Sequence, residues 1–358
     1  MKLETNGRDD KMKALLLAGG LGTRLRPLTE NLPKPMAPIA NRPWLEHLIT
    51  YLHEQGVDQF VIAAHHCSDV IRRHFGDGRR WGVKIEYAVE PFPMGTAGAI
   101  KNAERLLGER FLVVNADIVH LPQLIPLLEF HRQHGGIATI ALTEVEDPSS
   151  YGVVEQDETG KILRFIEKPR REEAPSNRIN AGLYILEPEV MRYIPAQREV
   201  SIERETFPRL IQEGAGVYGM VSSGYWHDMG TPARYRQVHW DVLDRRFPLL
   251  MNGSQVQPGV WAGENVEFGS GALLVPPVLI GNNVKIGDQA VIGPYAVIGD
   301  NCHIGARVHC SHSILWDHSV VRDGSRLSNS IFGYRTVAPA GEVFKNSIIN
   351  QPKEVVQA

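Results

Sequence analysis

The chain is short of cysteine, carries no excess charge of either sign and has no long unbroken apolar run, and each shortage removes a class of protein. Its three cysteines, Cys67, Cys302 and Cys310, stand without CxxC spacing, which argues against a disulfide framework or a zinc ribbon and leaves reduced thiols as the reading. The 38 basic and 41 acidic residues are scattered and leave a formal charge of -3. Without a basic run or an RNA-binding signature, nucleic acid is not an expected partner. No uncharged apolar stretch reaches the roughly eighteen residues that span a bilayer. The opening residues MKLETNGRDD lack the apolar region of a signal peptide. The expectation is a cytoplasmic protein with no membrane partner, preceded by a loose tail over residues 1–11 to which no role is assigned. The pair His65-His66 has no third ligand at useful spacing, so no metal is assigned to it.

A length of 358 residues suits two domains, and a hydrophobic fraction of 43% supports ordinary buried cores. The apolar run 13–18 ends in Gly19-Gly20, as a buried parallel strand feeding a glycine turn would. After Pro43, the residues Trp44, Leu45, Leu48, Ile49 and Leu52 fall on one helical face. Strand-like runs at 59–63 and 111–115 alternate with helical candidates at 68–75 and 96–107, the pattern of an α/β domain. From about 136 the strands crowd together, which predicts a mixed or antiparallel section over the mouth of the sheet, where a second substrate would sit. A helix around 231–244 closes this first domain. Pro248 and Asn252-Gly253 mark the junction, giving expected domains at 12–247 and 253–350.

Beyond the junction the sequence takes a six-residue period. Ile280, Ile286, Ile292, Ile298 and Ile304 are each followed by glycine, and Val278, Val284, Ala290, Ala296, Cys302, Val308, Ile314 and Val320 keep the same spacing two positions earlier. One inward apolar residue per six-residue face, with three faces to a turn, describes a β-helix whose coils stack on one another.

The turn after the first strand reads Leu17-Ala18-Gly19-Gly20-Leu21-Gly22-Thr23-Arg24-Leu25-Arg26-Pro27-Leu28-Thr29, with Pro33-Lys34-Pro35 close behind. Glycines here let backbone N–H groups approach a phosphate that a Cβ would keep away. Arg24 and Lys34 add the positive charge that a triphosphate needs. The run is neither a P-loop nor a GxGxxG fingerprint.

Further tracts follow in order: Glu90-Pro91 with Gly95-Thr96-Ala97-Gly98, Val114-Asn115-Ala116-Asp117, Tyr151-Gly152-Val153-Val154, Phe165-Ile166-Glu167-Lys168-Pro169, Asn180-Ala181-Gly182-Leu183-Tyr184, Ser201 to Pro208, and Tyr225-Trp226-His227-Asp228-Met229-Gly230. Together with the glycine turn they resemble the sugar-1-phosphate nucleotidyltransferases over nearly all of residues 12–245. The FIEKP, NAGLY and SIERETFP tracts are most similar to the mannose-1-phosphate guanylyltransferase branch. One departure is Ala116, where relatives often carry serine.

The resemblance implies a fold, a reaction and a site. The fold is a Rossmann-like mixed-sheet nucleotidyltransferase domain followed by a left-handed parallel β-helix of hexapeptide repeats. The reaction is Mg²⁺-dependent transfer from an NTP, GTP favoured, to a sugar 1-phosphate, mannose 1-phosphate favoured. Leu17, Ala18, Gly19, Gly20, Gly22, Thr23, Arg24, Glu90, Gly95 and Thr96 would bind the nucleotide, with Arg24 and Lys34 on the triphosphate. Asp117 and Asp228 would hold the metal, and Gly152, Glu167, Lys168 and Asn180 the sugar phosphate.

Such chemistry needs positioning and charge neutralisation rather than a covalent nucleophile. Alternatives stay open: glucose-1-phosphate thymidylyltransferase, another hexose- or heptose-1-phosphate enzyme, or a non-catalytic regulatory subunit. An acyltransferase using His303, His309, His312 or His318 is disfavoured, because the chain stops soon after the coils. The β-helix itself is expected to serve self-association into a homo-oligomer.

Overall fold

The computed structural model describes residues 12–350, so the tail expected over 1–11 lies outside the described residues. The chain forms two compact units. One contains 12–21, 33–35 and 48–228, and the other contains 22–32, 36–47 and 229–350.

The first unit is built on a nine-stranded mixed sheet. In chain order its elements begin with β1 (Lys13–Leu17), α1 (Trp44–Glu54, whose first turn groups with the second unit), β2 (Gln59–Ala64), α2 (Ser68–Phe75) and β3 (Lys84–Val89). α3 (Gly95–Asn102), β4 (Phe111–Asn115), β5 (Ile118–His120), α4 (Leu124–His134) and β6 (Ala138–Glu144) come next. The unit ends with β7 (Gly152–Gln156), β8 (Ile162–Glu167), β9 (Arg178–Leu186), α5 (Phe207–Gln212), β10 (Val217–Val221) and β11 (Trp226–Asp228).

The strand order is β8-β7-β9-β4-β1-β2-β3, with β6 also pairing β9 and β10 pairing β6. The strands β4, β1, β2 and β3 are parallel. The inner three are apolar runs because both faces are covered, with Leu15, Val61 and Val113 fully buried, whereas β3 lies at the sheet edge and mixes exposed and buried residues. On α1 the predicted face of Trp44, Leu45, Leu48, Ile49 and Leu52 is likewise wholly buried.

The expected helix 96–107 divides into α3 and a short turn Glu104–Leu107. Its ladder tightens at Ala103, whose N–H reaches both Ala99 O (3.2 Å) and Ile100 O (3.1 Å). The crowded strands after 136 extend the sheet itself, since β9 pairs antiparallel with β4 in the middle of the sheet and with β6 beyond it.

In the second unit, α6 (Pro232–Leu243) begins at an N-cap, with Thr231 accepting from the Arg234 N–H, and Pro232 in the first turn. The β-helix follows as three sheets of seven, five and five strands, parallel throughout except for the first strand, Ser254–Gln257, which runs antiparallel to Val260–Ala262. The isoleucine column lies inside: Ile280, Ile292, Ile298 and Ile304 are 0% exposed and Ile286 is 3% exposed.

The sequence frame holds for only part of the stack. Early coils repeat after 18 residues, as from Asn282 to Asp300, and later ones after 17, as from Asp300 to Asp317. One face has therefore lost a residue, and Leu315 and Val321 fill the core column where the strict period pointed elsewhere. Val320, read as inward, is half-buried. In these shorter coils the small inward position passes to serine, and the single hydroxyl proton of buried Ser319 closes the corner between the carbonyls of Trp316 (2.7 Å) and Gly333 (3.0 Å). His303, His309, His312 and His318 are exposed on the coils.

Candidate active site

Parallel strands that end in register bring several of the sequence-selected segments to one edge. Leu17 lies beside Ala63 on one side and Asn115 on the other, and Ala64 beside Val89. The glycine turn after β1, Asp117 after β4 and Glu90 after β3 therefore leave the sheet at its carboxyl end, where ligands of open α/β sheets gather. Ala18 N–H donates to Ala63 O (2.8 Å) and Ala116 N–H to Leu17 O (3.1 Å), which secures these exits.

Asp228 arrives by a different route. β11 pairs antiparallel with β5 and sets Asp228 opposite Ile118, the neighbour of Asp117. Lys34 Nζ then donates to Asp117 Oδ2 at 3.0 Å and to Asp228 Oδ1 at 3.2 Å. Lys34 is buried, whereas the Asp117 side chain keeps 44% of its surface in contact with solvent. Two carboxylates already converge here on one positive atom. A hard divalent cation asks for that from a protein, taking the rest of its shell from water and phosphate. Among the described residues there is no group of three or more His, Cys, Asp or Glu that could hold a metal, so the protein's share of such a shell would be this pair.

Glu90 explains one glycine of the turn. A Cβ at Gly19 would collide with Glu90 Oε1, so the carboxyl group packs directly against the backbone of the turn. Burial pushes the Glu90 carboxyl above its ordinary value, and the hydrogen bond from Met94 N–H (3.1 Å) offsets this in part. His65 bonds the Glu90 carbonyl through Nδ1 (3.0 Å). Gly95 has a φ of +70°, and a Cβ there would press on the Val200 carbonyl, which accepts from Ala97 N–H (2.9 Å). Thr96 Oγ1 donates to Glu203 Oε2 (2.7 Å) and accepts from Ile202 N–H (2.8 Å), tying α3 to the SIERETFP tract.

The residues selected for the sugar phosphate lie on β7, β8 and β9. Gly152 pairs with Glu167 across β7 and β8, and a Cβ at Gly152 would run into the Phe165 ring. Burial, then the nearby Glu203 charge, raises the Glu167 carboxyl, opposed by Lys168, whose Nζ stands 3.5 Å from Glu167 Oε1. Asn180 is buried. It donates to Tyr184 Oη (2.7 Å) and accepts from Gly182 N–H (2.9 Å).

Sequence reasoning did not single out Glu203, Asn115 or Trp226. Glu203 joins Thr96 to the Glu167 environment. Asn115 Oδ1 is buried without a hydrogen-bond partner, and Trp226 Nε1 holds the Ala181 carbonyl (3.0 Å). All three stood inside quoted tracts, but nothing in their spacing separated them from their neighbours.

Gly22, Thr23 and Arg24 group with the second unit. There Thr23–Leu25 forms a short 3-10 turn, and buried Thr29 donates to Gly22 O (2.8 Å).

The sequence pattern described as "Nucleotidyl transferase" matches residues 13–245, and the one described as "GMPPB C-terminal domain" matches 274–355. The chain belongs to the nucleotidyl transferase family. This transferase is 37% identical to mannose-1-phosphate guanylyltransferase 1 of Arabidopsis thaliana over 97% of its own length and 98% of the relative's. It is also 37% identical to the UTP–glucose-1-phosphate uridylyltransferase of a Synechocystis strain, over 92% of this chain and 89% of that one. Among solved structures, a putative glucose-1-phosphate thymidylyltransferase from Bacillus anthracis superposes with a TM-score of 0.59 at 26% identity, over 67% of this chain and 97% of that one.

Proposed function

We propose that the transferase makes GDP-mannose from GTP and mannose 1-phosphate. The observation that carries this reading is the convergence of Asp117 and Asp228 on Lys34 Nζ, at the edge where the glycine turn leaves β1. An oxygen of the sugar phosphate attacks the α-phosphorus of the triphosphate. The bond from that phosphorus to the bridging β-phosphate oxygen breaks, and pyrophosphate leaves with the electron pair. Both reactants are anions, so the protein's work is to neutralise and align them.

Lys34 and Arg24 take the triphosphate charge, with the backbone of Leu17 to Thr23 against the phosphates. Glu90, Gly95 and Thr96 line the nucleoside side. Lys168 holds the sugar phosphate, while Gly152, Glu167 and Asn180 face the sugar hydroxyls and Glu203 fixes Thr96 beside them. Magnesium, held by Asp117 and Asp228, supplies electrophilic charge at the phosphate oxygens. The choice of GTP and mannose 1-phosphate is supported by the FIEKP, NAGLY and SIERETFP tracts, by the C-terminal match at 274–355 and by the full-length guanylyltransferase relative.

We place the reaction in the cytoplasm and assign self-association to the β-helix. No helix among the described residues is long and apolar enough to cross a membrane. The coils expose Phe268 and Leu273, and sedimentation of the full chain tests the second assignment.

The deciding experiment pairs GTP, UTP and dTTP with mannose and glucose 1-phosphates and reads pyrophosphate release. The highest kcat/KM is expected for GTP with mannose 1-phosphate. A clear preference for UTP or dTTP with glucose 1-phosphate overturns the specificity, and binding without pyrophosphate release points to a regulatory subunit.

A further inference from the structure

The β-helix has an edge on which corner side chains of successive coils form a ladder. Asn282 Oδ1 accepts from Glu264 N–H (2.8 Å), Asp300 Oδ1 from Asn282 N–H (2.8 Å) and Asp317 Oδ1 from Asp300 N–H (3.0 Å). Each oxygen occupies the space a Cβ would need on a glycine of the preceding coil, at Gly263, Gly281 and Gly299. In the last described coil Asn350 stands opposite Gly333, in the column that Gly263, Gly281 and Gly299 occupy in earlier coils, and its Oδ1 lies where a Cβ of Gly333 would stand.

What a carboxylate does inside the ladder requires only an acceptor, as Asp300 and Asp317 demonstrate. Asn282 spends its spare amide donor within the ladder, on Asp300 Oδ2 (3.1 Å). Asn350 sends its Nδ2–H to the carbonyl of Pro27 (2.6 Å), in the glycine-turn segment. That carbonyl also accepts from Glu30 N–H (3.3 Å), and buried Thr29, between them, donates to Gly22 O (2.8 Å) at the start of the turn that carries Arg24. Hydrogen bonds at Pro27 and at Gly22, joined through the chain neighbours Thr29 and Glu30, therefore link the coil corner to the residue beside Thr23-Arg24, all within the second unit.

We propose that Asn350 is a positioning residue for nucleotide binding: its amide donor fixes the Pro27 carbonyl and thereby holds the 22–32 segment in the shape that presents Arg24. The proposal rests on the reading of Arg24 as a triphosphate ligand. It gives the β-helix a part in the reaction separate from any self-association.

Asn350→Asp is the informative variant, because it keeps the oxygen that packs on Gly333 and removes the donor. Steady-state kinetics of the full chain with GTP and mannose 1-phosphate should show the KM for GTP raised about three- to ten-fold, the worth of one net hydrogen bond. KM for mannose 1-phosphate should stay at its wild-type value and the thermal unfolding midpoint should fall by no more than about 4 °C. In an Arg24→Lys background the same substitution should change the KM for GTP by less than about two-fold, since coupled residues are not additive.

Two results overturn the proposal: a KM for GTP unmoved in both Asn350→Asp and Asn350→Ala, or an effect undiminished by Arg24→Lys. If the wild-type chain turned over none of the substrate pairs, the functional reading would fail on its own. Equilibrium binding of GTP would then decide the role of Asn350, with weaker binding by Asn350→Asp supporting it and equal binding overturning it.

Discussion

Aspartates do different work in the two units. In the β-helix, Asp300 and Asp317 each take a backbone N–H of the preceding coil, at 2.8 and 3.0 Å. The stacking repeat supplies that partner, and it cannot be exchanged for another. In the sheet unit, Asp117 and Asp228 face the side-chain ammonium of Lys34, a cation on a flexible stem that a different cation or a phosphate can compete for. A carboxylate satisfied by repeating backbone stabilises a fold, and a pair gathered on a side-chain ammonium is placed for chemistry.

Burial, and then the neighbouring Asp300 charge, push the Asp317 carboxyl from 3.8 up to about 6, despite its bond from Asp300 N–H and the nearby His318.

The sharpest way to break this comparison is to neutralise each kind of carboxylate. Asp117→Asn or Asp228→Asn should cut pyrophosphate release by roughly a hundred-fold or more, the order of removing one electrostatic contact to a transition state, while circular dichroism and the unfolding midpoint barely move. Turnover that survives either change would make the pair structural, like its counterparts in the coils.

The next largest effect lies in the β-helix and should touch stability alone. Ile304 is wholly buried between Ile286 and Val321 of the adjacent coils. Ile304→Ala should therefore cost about 2–5 kcal/mol in denaturant unfolding and leave the KM of both substrates unchanged below the transition. A changed KM would mean that coil packing is felt well beyond the coil.

The smallest effect is a gain. The folded pKa of Asp317 lies above its unfolded value, so the native state binds that proton more tightly and the ionised group penalises the fold above about pH 6. This group's contribution improves as pH falls from 6 toward 4. Asp317→Asn keeps the acceptor for Asp300 N–H and removes the charge. It should stabilise the protein by about 1–2 kcal/mol at pH 8, with the gain fading between pH 6 and pH 4. A loss of stability at every pH would contradict the assignment.

Legibility followed the length scale of the pattern. The β-helix was readable because each coil repeats the last, so Ile280 to Ile304 announce an inward column without reference to any distant residue. The reading slipped where the repeat shortened to 17 residues, as at Asp317. Serine replaced the small apolar residue there, and a hydroxyl set between two carbonyls looks in sequence like an exposed polar side chain. In the sheet unit, β1, β2 and β4 were plain as apolar runs. Glu203 was not singled out, because its importance comes from Thr96 on its carboxylate, at 2.7 Å, and no spacing rule pairs positions so far apart.

What the sequence determined by itself was the local chemistry: a strand that ends in glycines, a solenoid with an apolar column, and a family signature whose charged residues suit two anionic substrates. Periodicity and backbone preference act between near neighbours, and these features need nothing else. Tertiary structure alone decided which side chains meet. It set Asp228 opposite Ile118, placed Lys34 Nζ between two remote carboxylates, left no room for a Cβ at Gly19 and turned the spare donor of Asn350 toward Pro27. Contacts of that kind depend on strand register and chain crossing, which bring together residues with no relation along the chain.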